Sequence, residues 1–167
     1  MASNGTIRLD FLCVQNAGRS QMAAAFAERE RDERGLGDVV EIHSAGTAPA
    51  DELHDEVVQV MSEVGIDLSG RKPRYVVLEE LKESHFLITM GCSISEFNPA
   101  HYGVESRAWN LKNPEGADSE TVRAIRDEIE SRVSSLFDEI EATANERTAE
   151  KSLSQRVTTA IRDSMPF

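Results

Sequence analysis

Ile7-Arg8-Leu9-Asp10-Phe11-Leu12-Cys13-Val14-Gln15-Asn16-Ala17-Gly18-Arg19-Ser20 is the stretch from which the rest of the chain is read. It begins by alternating apolar and polar residues and ends in the apolar run Phe11 to Val14, the pattern of a strand that becomes buried as it proceeds. Gly18 breaks the run. From Arg19 to Arg34 the chain is rich in Ala, Glu and Arg, with Met22, Ala23 and Phe26 on one face and Gly35 as a stop, which predicts a helix. Strand, short loop and helix in this order open an α/β sheet whose ligands bind at the carboxyl ends of its strands.

Working outward, the same alternation continues. Val39 to Ser44 reads as a second strand closed by Gly46 and Pro49, and Asp51 to Val64 as a helix, because Leu53, Val57, Val60, Met61 and Val64 fall at spacings of three and four. A loop over Ser69-Gly70-Arg71-Lys72-Pro73-Arg74 leads to a short helix near Leu78 to Glu83. Phe86 to Met90 is a fully apolar third strand and Arg107 to Leu111 a weaker fourth. Asp118 to Glu141 carries Val122, Ile125, Ile129, Val133, Leu136 and Ile140, a long amphipathic helix. Strands alternating with helices predict a parallel sheet covered on both faces. One domain over residues 1–141 is expected, followed by a C-terminal extension over residues 142–167. There Leu153, Val157, Ile161 and Met165 recur every four residues, which fits either a second amphipathic helix or a partly frayed tail.

Composition bounds the function. The chain has 167 residues, enough for a core without disulfide or metal staples, and a formal net charge of −12. Such a surface disfavours polyanionic partners, so neither nucleic acid nor an anionic membrane is expected. Of 18 basic residues only Lys72, Lys82, Lys112 and Lys151 are Lys; a high carboxylate load with few lysines suits a high-salt environment. Two cysteines, Cys13 and Cys92, exclude a disulfide scaffold and a four-Cys zinc site. His43, His54, His85 and His101 show no metal-ligand spacing, so no metal is expected. The N-terminal residues have no signal-peptide pattern and no apolar run is long enough for a membrane span, so a cytoplasmic protein is expected.

The chemistry concentrates at the end of the first predicted strand. A loop running into a helix N-terminus offers convergent backbone N–H groups and the positive end of a macrodipole, an oxyanion cradle. That field and the fixed cation of Arg19 are expected to lower the Cys13 thiol towards the range of activated cysteines and make it a nucleophile. Arg19 offers a planar fork to a tetrahedral oxyanion, Ser20 a hydroxyl to the sulfur, and Asn16 and Gly18 tolerate the left-handed backbone of a tight loop. Val14, Gln15, Asn16, Ala17, Gly18, Arg19 and Ser20 are therefore the expected substrate-binding residues.

These residues resemble the phosphate-binding loop of the low-molecular-weight protein tyrosine phosphatase superfamily, and Asn16-Ala17-Gly18-Arg19-Ser20-Gln21-Met22-Ala23 is similar to its arsenate reductase branch. The resemblance continues through Ser44-Ala45-Gly46-Thr47, Gly65-Ile66-Asp67-Leu68-Ser69-Gly70 and Thr89-Met90-Gly91-Cys92 to Asn113-Pro114. It implies an α/β three-layer sandwich with a four-stranded parallel sheet of flavodoxin-like order and Cys13 at the base of the loop.

Both branches open with thiolate attack on a loop-bound oxyanion. Resemblance to the reductases implies a covalent arsenic adduct on Cys13 and a second thiol that attacks Cys13 and expels arsenite. Cys92, just past the third predicted strand, lies on the same edge of the sheet as Cys13, where a resolving thiol is needed. A buried structural Cys92 is the alternative. Ser93 to Pro99 lacks the third Cys of the thioredoxin-linked reductases. The reductant is then an external thiol, either a thioredoxin- or glutaredoxin-like protein or a small thiol, and no bound cofactor is expected. The position of the superfamily's general acid, an Asp before a Pro, is held here by Asn113, and no aromatic residue follows Pro114. Both departures favour a reductase over a tyrosine or aryl phosphatase, and Asn113 also supports a third reading, a weakened oxyanion-binding protein.

Overall fold

The computed structural model describes the backbone of residues 6–164 and the side chains of residues 6–146 and Leu153. Four strands, β1 (Ile7–Cys13), β2 (Val40–Gly46), β3 (Phe86–Met90) and β4 (Glu105–Ala108), form one sheet in the order β2-β1-β3-β4. All three pairings are parallel, with Cys13 opposite Gly46 on one side and Met90 on the other. The carboxyl ends of β1, β2 and β3 thus meet around Cys13.

Period-two alternation along β1 sorts its side chains. Ile7, Leu9, Phe11 and Cys13 face a large cluster shared with α1 (Arg19–Glu33), α2 (Asp55–Ser62) and α4 (Ser119–Ser164). Arg8, Asp10 and Leu12 face the thinner layer made by α3 (Leu78–Leu81) and a 3₁₀ turn (Pro99–Tyr102). On that side Arg8 Nε donates to Asp10 at 2.9 Å, and the Ser84 hydroxyl donates to the same carboxylate, so the buried charge is paired and satisfied. On the thick side α4 contributes Val122, Ile125, Ile129, Val133, Leu136, Phe137 and Ile140, each worth ~1.5–3 kcal/mol on burial.

Three expectations change. The fourth strand begins at Glu105 and not Arg107. As an edge strand, mostly exposed, its Glu105-Ser106-Arg107 lacks an apolar alternation, while Trp109 extends the ladder by donating its N–H to Thr89 O at 2.8 Å. The second helix starts at Asp55, because residues 51–54 remain loop and send the His54 N–H to Ala17 O at 3.0 Å. The C-terminal segment is neither a separate helix nor a tail: α4 continues unbroken to Ser164, since no Gly or Pro interrupts residues 119–164. The expected boundary between residues 141 and 142 falls inside it. Met165 and the other terminal residues of the expected apolar stripe lie outside the described residues. Among the described residues, no helix is long and apolar enough to cross a membrane.

Candidate active site

The loop between β1 and α1 turns tightly because its carbonyl groups are claimed from outside. Cys13 O, Val14 O, Gln15 O and Ala17 O accept the backbone N–H groups of Thr47 (3.1 Å), Ala48 (2.8 Å), Ala50 (3.0 Å) and His54 (3.0 Å). Asn16 O accepts Gln21 Nε2 at 3.1 Å, and Gly18 O accepts the Met22 N–H at 2.9 Å. In a trans peptide the N–H points opposite to the C=O. With every carbonyl from Cys13 to Gly18 tied outward, the amides of the turn converge inward as an anion nest.

Asn16 is the pivot. It has φ +50°, the only described non-glycine residue in the left-handed region. Its side-chain oxygen accepts the Arg74 N–H at 2.9 Å and Gln21 Nε2 at 3.1 Å, while its Nδ2 donates to Ser20 Oγ at 2.7 Å. Asparagine tolerates this backbone region and can satisfy three partners there.

Cys13 is 2% exposed at the base of this nest. Its sulfur accepts the Asn16 N–H at 3.2 Å and lies 2.9 Å from Ser20 Oγ. Since Ser20 Oγ already receives a hydrogen from Asn16, its own hydrogen is available to the sulfur, giving a relay Asn16 to Ser20 to Cys13.

Arg19 is 8% exposed and places its guanidinium across the mouth, where Nη1 donates to Leu111 O at 3.1 Å. Gly91, at φ +78°, makes the room: a Cβ there would stand 2.5 Å from Arg19 Nη1. On the other flank Gly18 lets Pro114 close over the loop, since a Cβ at residue 18 would lie 2.8 Å from Pro114 Cγ. The segment 111–114 is thereby fixed above the nest. Asn113 sits on it, exposed, with its side-chain oxygen accepting the Glu115 N–H at 3.1 Å.

Few of the described cations are left unpaired in a chain of formal net charge −12. Among the described side chains every Arg and Lys has a carboxylate within ion-pair distance except Arg19, Lys72 and Lys112. Arg19 belongs to the loop, Lys112 follows the Leu111 that Arg19 holds, and the Lys72 carbonyl receives Gln21 Nε2 at 3.4 Å. Of the three, Arg19 brings its unpaired guanidinium to the loop itself.

Cys92 lies two residues beyond Met90, the register partner of Cys13, and packs half-buried against the thin-side cluster. Burial pushes its thiol above the ordinary value, with a further upward contribution from Cys13, while a backbone hydrogen bond at Met90 and the Arg19 cation act in the opposite sense. Its charge state is thus coupled to both residues of the loop. Both cysteines are free thiols.

All seven expected loop residues are brought together around Cys13, Asn113 is held on the rim and Cys92 on the adjoining edge. The residue reading missed the brace Gln21, the clearance at Gly91 and the strap of residues 47–54. A strap acting through backbone N–H groups leaves no signature in residue type.

Residues 8–147 match the family described as low molecular weight phosphotyrosine protein phosphatase. A provisionally named arsenate reductase of Halobacterium salinarum is 53% identical over 139 residues, covering 83% of this chain and 96% of the relative. The structure of a thioredoxin-dependent arsenate reductase from Corynebacterium glutamicum superposes with a TM-score of 0.68 at 32% identity, covering 85% of this chain and 65% of that one. A solved arsenate reductase in the phosphate-binding state gives a TM-score of 0.67 at 26% identity, covering 81% of this chain and 99% of that one.

Proposed function

Because the chain belongs to the low molecular weight phosphotyrosine protein phosphatase family, we propose that its oxyanion nest works as a thiol-dependent arsenate reductase. The observation that carries this reading is the pairing of two free thiols, Cys13 in the nest and Cys92 beside it, with no carboxylate at residue 113.

In the first step the Cys13 thiolate attacks arsenic in a monoanionic arsenate; the S–As bond forms, an As–O bond breaks, and hydroxide leaves. The nest amides and Arg19 hold the equatorial oxygens as charge redistributes. In the second step the Cys92 thiolate attacks Cys13 Sγ. The S–S bond forms, and the S–As electron pair goes to arsenic, which leaves as arsenite, reduced from As(V) to As(III), while the two thiols become one disulfide. An external dithiol protein of thioredoxin or glutaredoxin type, or a small thiol, then returns the disulfide to two thiols. Such a cycle needs a reducing compartment, so the cytoplasm is its proposed setting.

The test is arsenite release from the reduced protein supplied with arsenate and each class of thiol. The expected pattern is full loss in Cys13→Ser and, in Cys92→Ser, loss of the disulfide with retention of the arsenic adduct. Phosphate release from aryl phosphates without any arsenite production would favour the phosphatase reading instead. Binding without either reaction would leave an oxyanion-binding protein.

A further inference from the structure

We infer that Asn113 is a specificity-determining residue that blocks return of the Cys13 adduct to water and so reserves it for a second thiol. The inference builds on the reading of Cys13 as the nucleophile.

With Cys13 at the floor of the nest, in-line displacement sends the leaving oxygen away from the sulfur, towards the mouth. The segment fixed there is 111–114, held by Arg19 through Leu111 O and by Pro114 against Gly18. The same place receives the water that would hydrolyse the adduct, since that step is the first run backwards. A proton-transfer group at the mouth therefore serves both steps, giving a proton to the leaving oxygen and later taking one from water.

Residue 113 cannot do this. Asn113 is an amide, and its oxygen is engaged with the Glu115 N–H in a turn. Asp118 accepts the Thr121 N–H at 2.8 Å, which ties it to the first turn of α4. The Glu56 carboxylate is occupied by the Gly116 N–H at 3.2 Å. Glu115 is exposed on the turn beyond Pro114, and His54, like Pro114, stands against Gly18, so these two are the competing proton-transfer groups.

The consequence differs with the adduct. p-Nitrophenyl phosphate gives Cys13 S–PO₃²⁻ and p-nitrophenolate, a leaving group that departs without a proton. The thiophosphate then reacts with water to give the Cys13 thiol and HPO₄²⁻ only if water is deprotonated. With arsenate, hydrolysis of the adduct would merely regenerate substrate, whereas thiol attack on sulfur needs no base at the mouth. An amide at residue 113 thus slows formation of the adduct from arsenate and its hydrolysis alike, and raises the share of each adduct that goes on to the second thiol.

Rapid-quench reaction of the full chain with p-nitrophenyl phosphate tests this without arsenate. The expected result is a burst of one p-nitrophenolate per Cys13, a phosphoryl group on Cys13 in the intact mass, and slow turnover afterwards. Asn113→Asp should abolish the burst and raise steady turnover by ~10²- to 10⁴-fold, the usual worth of a positioned acid or base. Asn113→Ala should keep the burst, which separates the missing carboxyl from any disturbance of the turn. Turnover without a burst, or control by Glu115→Gln or His54→Gln in place of Asn113→Asp, would overturn the inference. So would the absence of any p-nitrophenolate above the Cys13→Ser background in both wild type and Asn113→Asp. Arsenite release plays no part here, so failure of the reductase reading is a separate outcome.

Discussion

Gly91 and Arg19 touch in a way that only glycine allows: an added Cβ would sit 2.5 Å from the guanidinium that spans the oxyanion nest. Gly91→Ala is expected to push Arg19 off Leu111 O and lower kcat/KM for arsenate at least tenfold. It also costs ~1–2 kcal/mol because residue 91 has a positive φ. Gly103→Ala is the matched control, with φ +70° and nothing within 4 Å. Thermal melts should show similar destabilisation for both variants, and arsenite-release kinetics should show a loss only for Gly91→Ala.

Ser20 joins Asn16 Nδ2 to the Cys13 sulfur, at 2.7 and 2.9 Å. Hydrogen bonds to charged groups are worth ~1.5–3 kcal/mol, so Ser20→Ala should slow formation of the Cys13 adduct by ~10- to 100-fold. Stopped-flow measurement of the first turnover reads this directly. An unchanged rate would mean that the relay does not act on the sulfur.

Cys92 supplies a pH signature. Burial raises its thiol above the ordinary value, so at neutral pH little of it is the attacking thiolate. The disulfide-forming step should therefore accelerate as pH rises through the alkaline range, by about tenfold per unit until the thiol is titrated. Single-turnover arsenite release after a rapid pH jump isolates this step. A flat profile would exclude Cys92 as the nucleophile.

His43 bears on stability, not catalysis. Burial, and then the Arg8 cation, lower its affinity for a proton, outweighing Asp10 and Glu41, and its Nε2 has no partner. The folded state thus favours the neutral ring while the unfolded chain protonates near pH 6.5. Its contribution is present above that pH and is lost as pH falls towards the folded-state value. Urea unfolding of His43→Gln should show a shallower loss of stability over this acid range than wild type.

Much of the site was legible before the fold. Cys13, Arg19 and Ser20 follow from residue type between an apolar strand and an amphipathic helix, because strand-to-helix loops present their amides at one sheet edge. Glu105 to Ala108 was less legible, since an edge strand does not need buried side chains to hold its ladder. Residues 142–164 were ambiguous because the chain is polar up to Leu153, and the apolar stripe beyond it does not say whether the preceding helix continues or a new one begins.

By itself the sequence determined the alternating α/β order, the two-thiol limit and the amide at residue 113, and it nominated Cys13 and Arg19 as nucleophile and cation. These depend on residue identity and local periodicity. Only the tertiary structure decided that residues 47–54 turn the loop carbonyls outward, that Gly91 clears Arg19, that Pro114 sets Asn113 over the nest, and that Cys92 shares the electrostatics of Cys13. Those features come from backbone groups and close approaches between segments remote in sequence, and neither is encoded in the type of any single residue.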